Sequence, residues 1–180
     1  MNRAIMTLAL VILMLGPGLE RASAQDTIPE SMRARQLPRQ TLSGPRFGFT
    51  TFTGGVADFR RATGKSAVMS QFGWQFETQI VSGESGHQAL MEWVVLVGGV
   101  EQDEFNTSIA WLAGLRMPGG FEVGVGPNLS LPNEGDPTTS MVVATGATFP
   151  FGGFYLPANL AIAFGQGGPR FTALLGWIIG

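Results

Sequence analysis

The chain has no cysteine, a single histidine and few charges: Asp, Glu, Lys and Arg together make 13% of its 180 residues. Missing thiols exclude a disulfide framework and a thiolate metal site. The formal charge of −2 offers no basic field to a nucleic-acid backbone, so nucleic acid is set aside as a partner. Gly48, Gly54 and Gly55 belong to no strand-to-helix phosphate loop, no spacing of His, Asp and Glu makes a metal site, and no motif implies a cofactor. His87 is the only obvious general base near neutral pH. In the strand register below it falls in a turn, without a Ser and an acid on facing positions, so no residue is assigned a catalytic role. Long hydrophobic runs are scarce as well. The run from Ala4 to Leu15 is too short to span a bilayer.

That run belongs to an export leader. Arg3, the apolar stretch and the small-x-small site Ala22-Ser23-Ala24 predict a signal peptide over residues 1–24, cleaved before Gln25. Position 25 is not Cys, so it cannot accept a lipid anchor. Residues 25–45 contain Pro29, Pro38 and Pro45, hold no sustained period, and read as a flexible periplasmic lead-in.

From residue 46 onward the pattern is period two. Phe72, Trp74, Phe76, Thr78 and Ile80 alternate with Gly73, Gln75, Glu77 and Gln79, which is the spacing of a strand with one oily face. Seven further segments repeat it: 46–53, 88–101, 105–117, 121–131, 139–149, 154–165 and 170–179. Phe52 disturbs the first of them, and Pro157 predicts a bulge or strand end in the seventh. In this register Trp74, Trp93, Trp111 and Trp177 share the oily face, from which charge is absent save at the rim position Glu101. Phe105, Phe121, Phe149, Phe154, Phe164 and Phe171 fall at strand ends, as aromatic girdles do. The reading is an all-β, eight-stranded antiparallel up-and-down transmembrane barrel over residues 46–180. Lipid lies outside it, the lumen is polar, and strands one and eight close it.

The polar faces supply the candidate site. The turn after strand two sets Glu77 opposite Glu92, and the loop 118–120 sets Arg116 opposite Glu122 and diagonal to Glu92. Glu77 or Glu92 is then expected to take up a proton, bind a cation or be bridged by water. The group reads as a polar plug; a proton or cation path is opposed by the small space that eight strands enclose. The long loop 54–69 carries Arg60, Arg61 and Lys65, candidate contacts for lipopolysaccharide phosphates.

With these features the chain resembles the small bacterial outer-membrane barrels of the OmpA-like and OmpX-like kind, over residues 46–180. The segments Gly124-Val125-Gly126-Pro127-Asn128-Leu129-Ser130-Leu131 and Leu156-Pro157-Ala158-Asn159-Leu160-Ala161 also look similar to a group of uncharacterised outer-membrane barrels. The resemblance implies the outer membrane as location, and membrane lipids and the barrel-assembly machinery as partners. It implies a structural or cell-surface role without catalysis. The final strand keeps Phe171, Leu175, Trp177 and Ile179 in alternation, yet the chain closes on Gly180 where such barrels typically end in an aromatic. Two other classes stand beside this reading: an outer-membrane lipid-modifying enzyme, and a soluble lipocalin-like binder with the faces inverted around an apolar ligand.

Overall fold

A computed structural model describes residues 42–133 and 135–179. The expected signal peptide and most of the lead-in lie outside the described residues. The elements run β1 (Gly44–Phe52), α1 (Gly54–Ala62), β2 (Val68–Ser82), β3 (Gln88–Gly98), a 3-10 turn (Val100–Gln102), β4 (Asn106–Arg116), β5 (Phe121–Pro132), β6 (Thr138–Phe151), β7 (Phe154–Gly165) and β8 (Arg170–Gly176). A two-residue strand, β9 (Ile178–Ile179), continues β8 past Trp177.

Each strand pairs antiparallel with its successor, and β1 pairs with β8 from Arg46–Gly176 to Phe52–Arg170. The sheet therefore closes as an eight-stranded up-and-down barrel, which removes the open edges of a flat sheet. The bulge or strand end expected at Pro157 is absent: β7 runs unbroken through it and pairs Pro157 with Thr148 of β6, and only the ladder on its other side is interrupted. β7 pairs with β8 as far as Ala158–Leu175 and resumes with β9 at Tyr155–Ile178, so in constant register Pro157 stands opposite Gly176. The missing pairs fall where the chain has no N–H to give.

Alternation divides the side chains as period two requires. All the charged residues of the described strands, Arg46, Glu77, Glu92, Arg116, Glu122 and Arg170, face the lumen, where the first five are buried and Arg170 is partly so. Phe47, Phe72, Trp74, Phe76, Trp93, Leu160, Phe164 and Trp177 are exposed on the outer wall. The molecule is more oily outside than in.

Three expectations need correction. Residues 54–69 are not an irregular loop: their first nine form α1, and Phe52 follows the alternation by pointing inward beneath it. There Phe52, Ala57 and Met69 make a buried apolar cluster. The ordered barrel begins before Pro45, because Leu42 is buried and its N–H donates to Glu77 Oε1. The third strand ends at Gly98; Glu101 sits in the 3-10 turn, reached through Gly99 at φ 87°.

Three inward glycines set how closely neighbouring strands approach. A Cβ on Gly48, Gly73 or Gly126 would stand 1.9 Å from the carbonyl oxygen of Ala173, Val95 or Trp111 respectively. No rotamer relieves a clash with backbone. Gly73→Ala and Gly126→Ala are therefore predicted to lower stability by about 1–3 kcal/mol, the usual scale of overpacking. Denaturant midpoints of the refolded protein test this against Gly119→Ala, where nothing lies within 4 Å of the added carbon. Equal midpoints for all three would refute the steric argument.

Candidate functional site

The lumen is built in layers, and the ionic layer near the turn-lined mouth is the most demanding. The ladders set Glu77 opposite Glu92 and Arg116 opposite Glu122, the two facings expected from turn lengths. The expected diagonal from Arg116 to Glu92 is absent: across β3 and β4 Arg116 faces Gln88, and Glu92 faces Leu112. The guanidinium reaches instead across the lumen to β2. Its two terminal nitrogens grip the two oxygens of Glu77, with Nη1 to Oε1 at 2.9 Å, while Nε donates to Glu122 Oε1 at 2.9 Å. Nη1 also donates to Gln88 Oε1 at 3.3 Å. Such a fork matches a planar cation to two carboxylates in a way an ammonium cannot.

Arg46 completes the layer, and the sequence reading did not include it. It is 1% exposed, donates from Nε to Gln75 Oε1 at 3.0 Å and from Nη2 to Leu42 O at 3.1 Å, and shares its charge with Glu92, Glu122 and Glu77. The signal that could have found it was closure itself, since pairing β1 with both β2 and β8 turns Arg46 inward. Carboxylate oxygens of Glu77, Glu92 and Glu122 lie within 4.8 Å of one another. Arg116 already occupies the space between Glu77 and Glu122, so the arrangement is an ion-paired network and not an open ligand cage. Glu92 differs from the other two. It is 7% exposed and accepts no hydrogen bond from the described residues.

Above this layer lies an internal cavity of about 90 Å³. Its walls include Glu92, Val94, Leu96, Leu112, Val142 and Leu174, the last five belonging to the apolar core, and further up Asn128, Ser130 and Arg170. Arg170 donates to Ser130 Oγ at 3.0 Å and Ser140 Oγ at 2.9 Å, and no carboxylate pairs with it among the described residues. On the other side of the ionic layer a mouth of about 430 Å³ opens past Arg116, Gln88, Thr148 and Tyr155.

α1 caps the opposite end. Its N-terminus lacks a side-chain cap, and the N–H of Val56 is satisfied by Gly167 O at 3.2 Å. Buried Arg60 pins it: Nη1 pairs with Glu104 Oε2 at 2.8 Å, Nη2 donates to Gln102 Oε1 at 3.0 Å, Nε donates to Ser66 O at 2.7 Å, and the guanidinium lies 4.6 Å from the centre of the Phe52 ring. Lys65 Nζ meets Glu104 Oε1 at 2.6 Å. Of the three cations proposed for phosphate contact, Arg60 and Lys65 are thus engaged within the lid, and exposed Arg61 pairs with Asp58 at 3.1 Å. His87 is exposed in the turn after β2, its Nδ1 2.8 Å from Ser85 Oγ, and no carboxylate bonds to it among the described residues.

Two outcomes are predicted. Arg116→Met leaves Glu77 and Glu122 buried without their cation and should cost about 3–5 kcal/mol in denaturant unfolding, with little recovery in Arg116→Lys. Acid should loosen the lid. Partial burial disfavours the charge on Glu101, but hydrogen bonds from the Ser70 side chain and N–H and from Gln102 outweigh it and hold the carboxyl at about 2. Glu104 is likewise lowered: desolvation opposes its charge, and Lys65 and Arg60 overcome that. Because both groups titrate below the ordinary carboxylate value when folded, their contribution is complete above about pH 4.5 and is lost as pH falls toward about 2. Amide protection factors in α1 should fall across that window, and Glu104→Gln should lower them at neutral pH. Protection unchanged between pH 5 and 2 would detach the lid from these carboxylates.

No protein family, curated protein or solved structure matches this chain, so its role is argued from its own geometry.

Proposed function

We propose that the chain is a non-enzymatic outer-membrane β-barrel with a plugged lumen and a structural or surface-interaction role, of OmpA-like or OmpX-like architecture. One observation carries the reading. No Asp, Glu, Lys or Arg side chain of a described strand points outward, while Trp74, Trp93 and Trp177 are exposed on the outer wall and Trp111 lies against Trp93, with ring centres 6.4 Å apart. Apolar patches on soluble monomers are normally a few hundred Å². A wall oily around its circumference matches hydrocarbon, and buried charges belong on its inner side.

Smaller features support it. Phe121, Phe149, Phe151 and Phe154 gather at the turn end, and Phe105, Phe164 and Phe171 at the capped end, the places of two interfacial girdles. Outward Thr145 donates to the backbone oxygen of Glu122 at 3.0 Å, so its hydroxyl needs no water. A lipocalin-like binder requires the tryptophans inside and Glu77, Glu92 and Arg116 in water, the reverse of the observed faces. The lid carboxylates and cations pair with one another, which narrows lipopolysaccharide contact to Arg61. An export leader is part of the proposal, and the partners are membrane lipids and the assembly machinery.

Recovery in the outer-membrane fraction and a mobility shift on heating in detergent are the expected results. In reconstituted bilayers, brominated acyl chains should quench the fluorescence of all four tryptophans, and Trp74→Phe, Trp93→Phe, Trp111→Phe and Trp177→Phe should each remove part of the quenched signal. Soluble recovery with tryptophans shielded from bromolipid would sink the reading.

A further inference from the structure

We propose that the lid end of the lumen binds a small aliphatic monocarboxylate of the acetate, propionate and butyrate class, its carboxylate held by Arg170 and its alkyl end lodged among the core side chains beneath. The inference goes beyond a plugged structural barrel and does not rest on the membrane reading.

Arg170 is the one cation of the described residues without a carboxylate. Arg60 and Lys65 meet Glu104, Arg61 meets Asp58, Arg116 grips Glu77 and Glu122, and Arg46 shares its charge with Glu92. Arg170 gives Nη1 to Ser130 Oγ at 3.0 Å and Nη2 to Ser140 Oγ at 2.9 Å, and the rest of its N–H groups bond to nothing among the described residues. Both hydroxyl oxygens are already shared with Asn128 Nδ2, at 3.2 and 3.3 Å. Ser130, Ser140 and Asn128 are each more than nine-tenths buried. Hydroxyls complete hydrogen bonds but carry no charge, so a partly buried guanidinium held only by them lacks a counter-ion. A carboxylate supplies one and meets the planar fork with two oxygens at once.

Asn106 adds a second unsatisfied group to the same layer. Ser108 faces Ser130 across β4 and β5, and Asn106 is the next inward residue toward the lid. Its Oδ1 is buried without a partner, and the residue lines the cavity together with Arg170. Turned by half a circle, the amide presents N–H groups in place of that oxygen, which suits an anion bound in this layer.

The register sets the oily half of the site directly beneath. Val142 follows Ser140 on the inner face of β6, Ala110 pairs with Asn128, and Leu174 is two inward positions from Arg170 along β8. All three belong to the buried apolar core and line the cavity. Glu92 lines the other end, in a layer that also holds Glu77 and Glu122, so an anion fits only one way round, with its charge at Arg170 and its carbon chain toward the core. The volume of about 90 Å³ holds roughly three waters at about 30 Å³ each, or one short organic anion. A bare halide would leave the apolar part without contacts.

The test is equilibrium dialysis of the full chain against radiolabelled acetate, propionate and hexanoate, each added before refolding so that entry does not depend on α1 opening. Propionate should bind saturably and about fourfold tighter than acetate, the gain from one more buried methylene. Hexanoate, too long for the cavity, should bind more weakly than propionate, and uncharged 1-propanol should not compete. Arg170→Gln should weaken propionate binding by about tenfold or more, the scale of a lost hydrogen bond to a charged group. Ala161→Leu fills the cavity without touching a charge. In a barrel that still shifts on heating it should abolish propionate binding, which keeps the test open even where Arg170→Gln fails to refold. Glu134, in the connection from β5 to β6, lies outside the described residues, and Glu134→Gln decides whether it supplies the counter-ion instead. Equal binding by wild type and Glu134→Gln is expected; binding by Glu134→Gln alone assigns Arg170 to Glu134 and overturns the proposal. No saturable binding by the wild-type barrel overturns it too. So does chloride competing as well as propionate, or equal affinity for acetate and propionate, since either result describes a site for charge alone.

Discussion

Pairing of β1 with β8 is the constraint on which everything else in this molecule depends. Once the sheet closes, no strand is left with an open edge, and side chains are assigned to one of two compartments by parity. A residue cannot be moved from one compartment to the other without slipping a strand. The composition then follows the compartments: the tryptophans and most phenylalanines outward, and the charged groups inward, together with Gln75, Asn128, Ser130 and a small apolar core.

Closure also converts an electrostatic cost into a device for register. Bringing Glu77, Glu92, Glu122, Arg46 and Arg116 out of water is expensive, and ion pairing only partly returns that cost. A one-residue slip of β2, β3, β4 or β5 would cost far more, because it would place Glu77, Glu92, Arg116 or Glu122 on the apolar outer wall. The fork of Arg116, spanning Glu77 on β2 and Glu122 on β5, ties four consecutive strands to one relative position. The inward glycines act to the same end by a different force. At Gly73 and Gly126 only a residue without a Cβ can lie against the neighbouring carbonyl, so a slipped register brings a side chain into backbone.

Much of this was legible beforehand, because alternation is a local property of sequence. All four tryptophans, the strand count, the seventh strand over 154–165 and the facings Glu77–Glu92 and Arg116–Glu122 follow from period two and turn length. What escaped was what closure and distance decide. Arg46 looked like the first residue of a weak strand, and only its two neighbours reveal it as the most buried cation. Phe52 broke a pattern because the reason for its orientation, the helix above it, is formed by the ten residues that follow. α1 itself carries Gly54 and Gly55 at its start and no capping side chain, so its stability rests on Gly167, Glu104 and Gln102 from other loops. No window on a helix can show a partner forty residues away.

The two ends of the lumen are closed by opposite means, and the difference explains where the charges sit. At the capped end, α1 seals the barrel with Phe52, Ala57 and Met69, and the ions that hold it, Arg60, Lys65 and Glu104, stand at the rim where water offsets part of their desolvation. At the turn end no helix of the described residues is drawn across, and the plug they form is the ionic layer itself. Arg116 faces the open mouth while Glu92 faces the inner cavity, so the layer is a partition one or two side chains thick. A partition of ions is tolerable there because its outer side lies at the mouth that Arg116 and Gln88 line, nearer to solvent than the middle of the barrel. Placed midway along the barrel the same residues would be dry on both sides. Leu96, Leu112, Val142 and Leu174 occupy that middle instead.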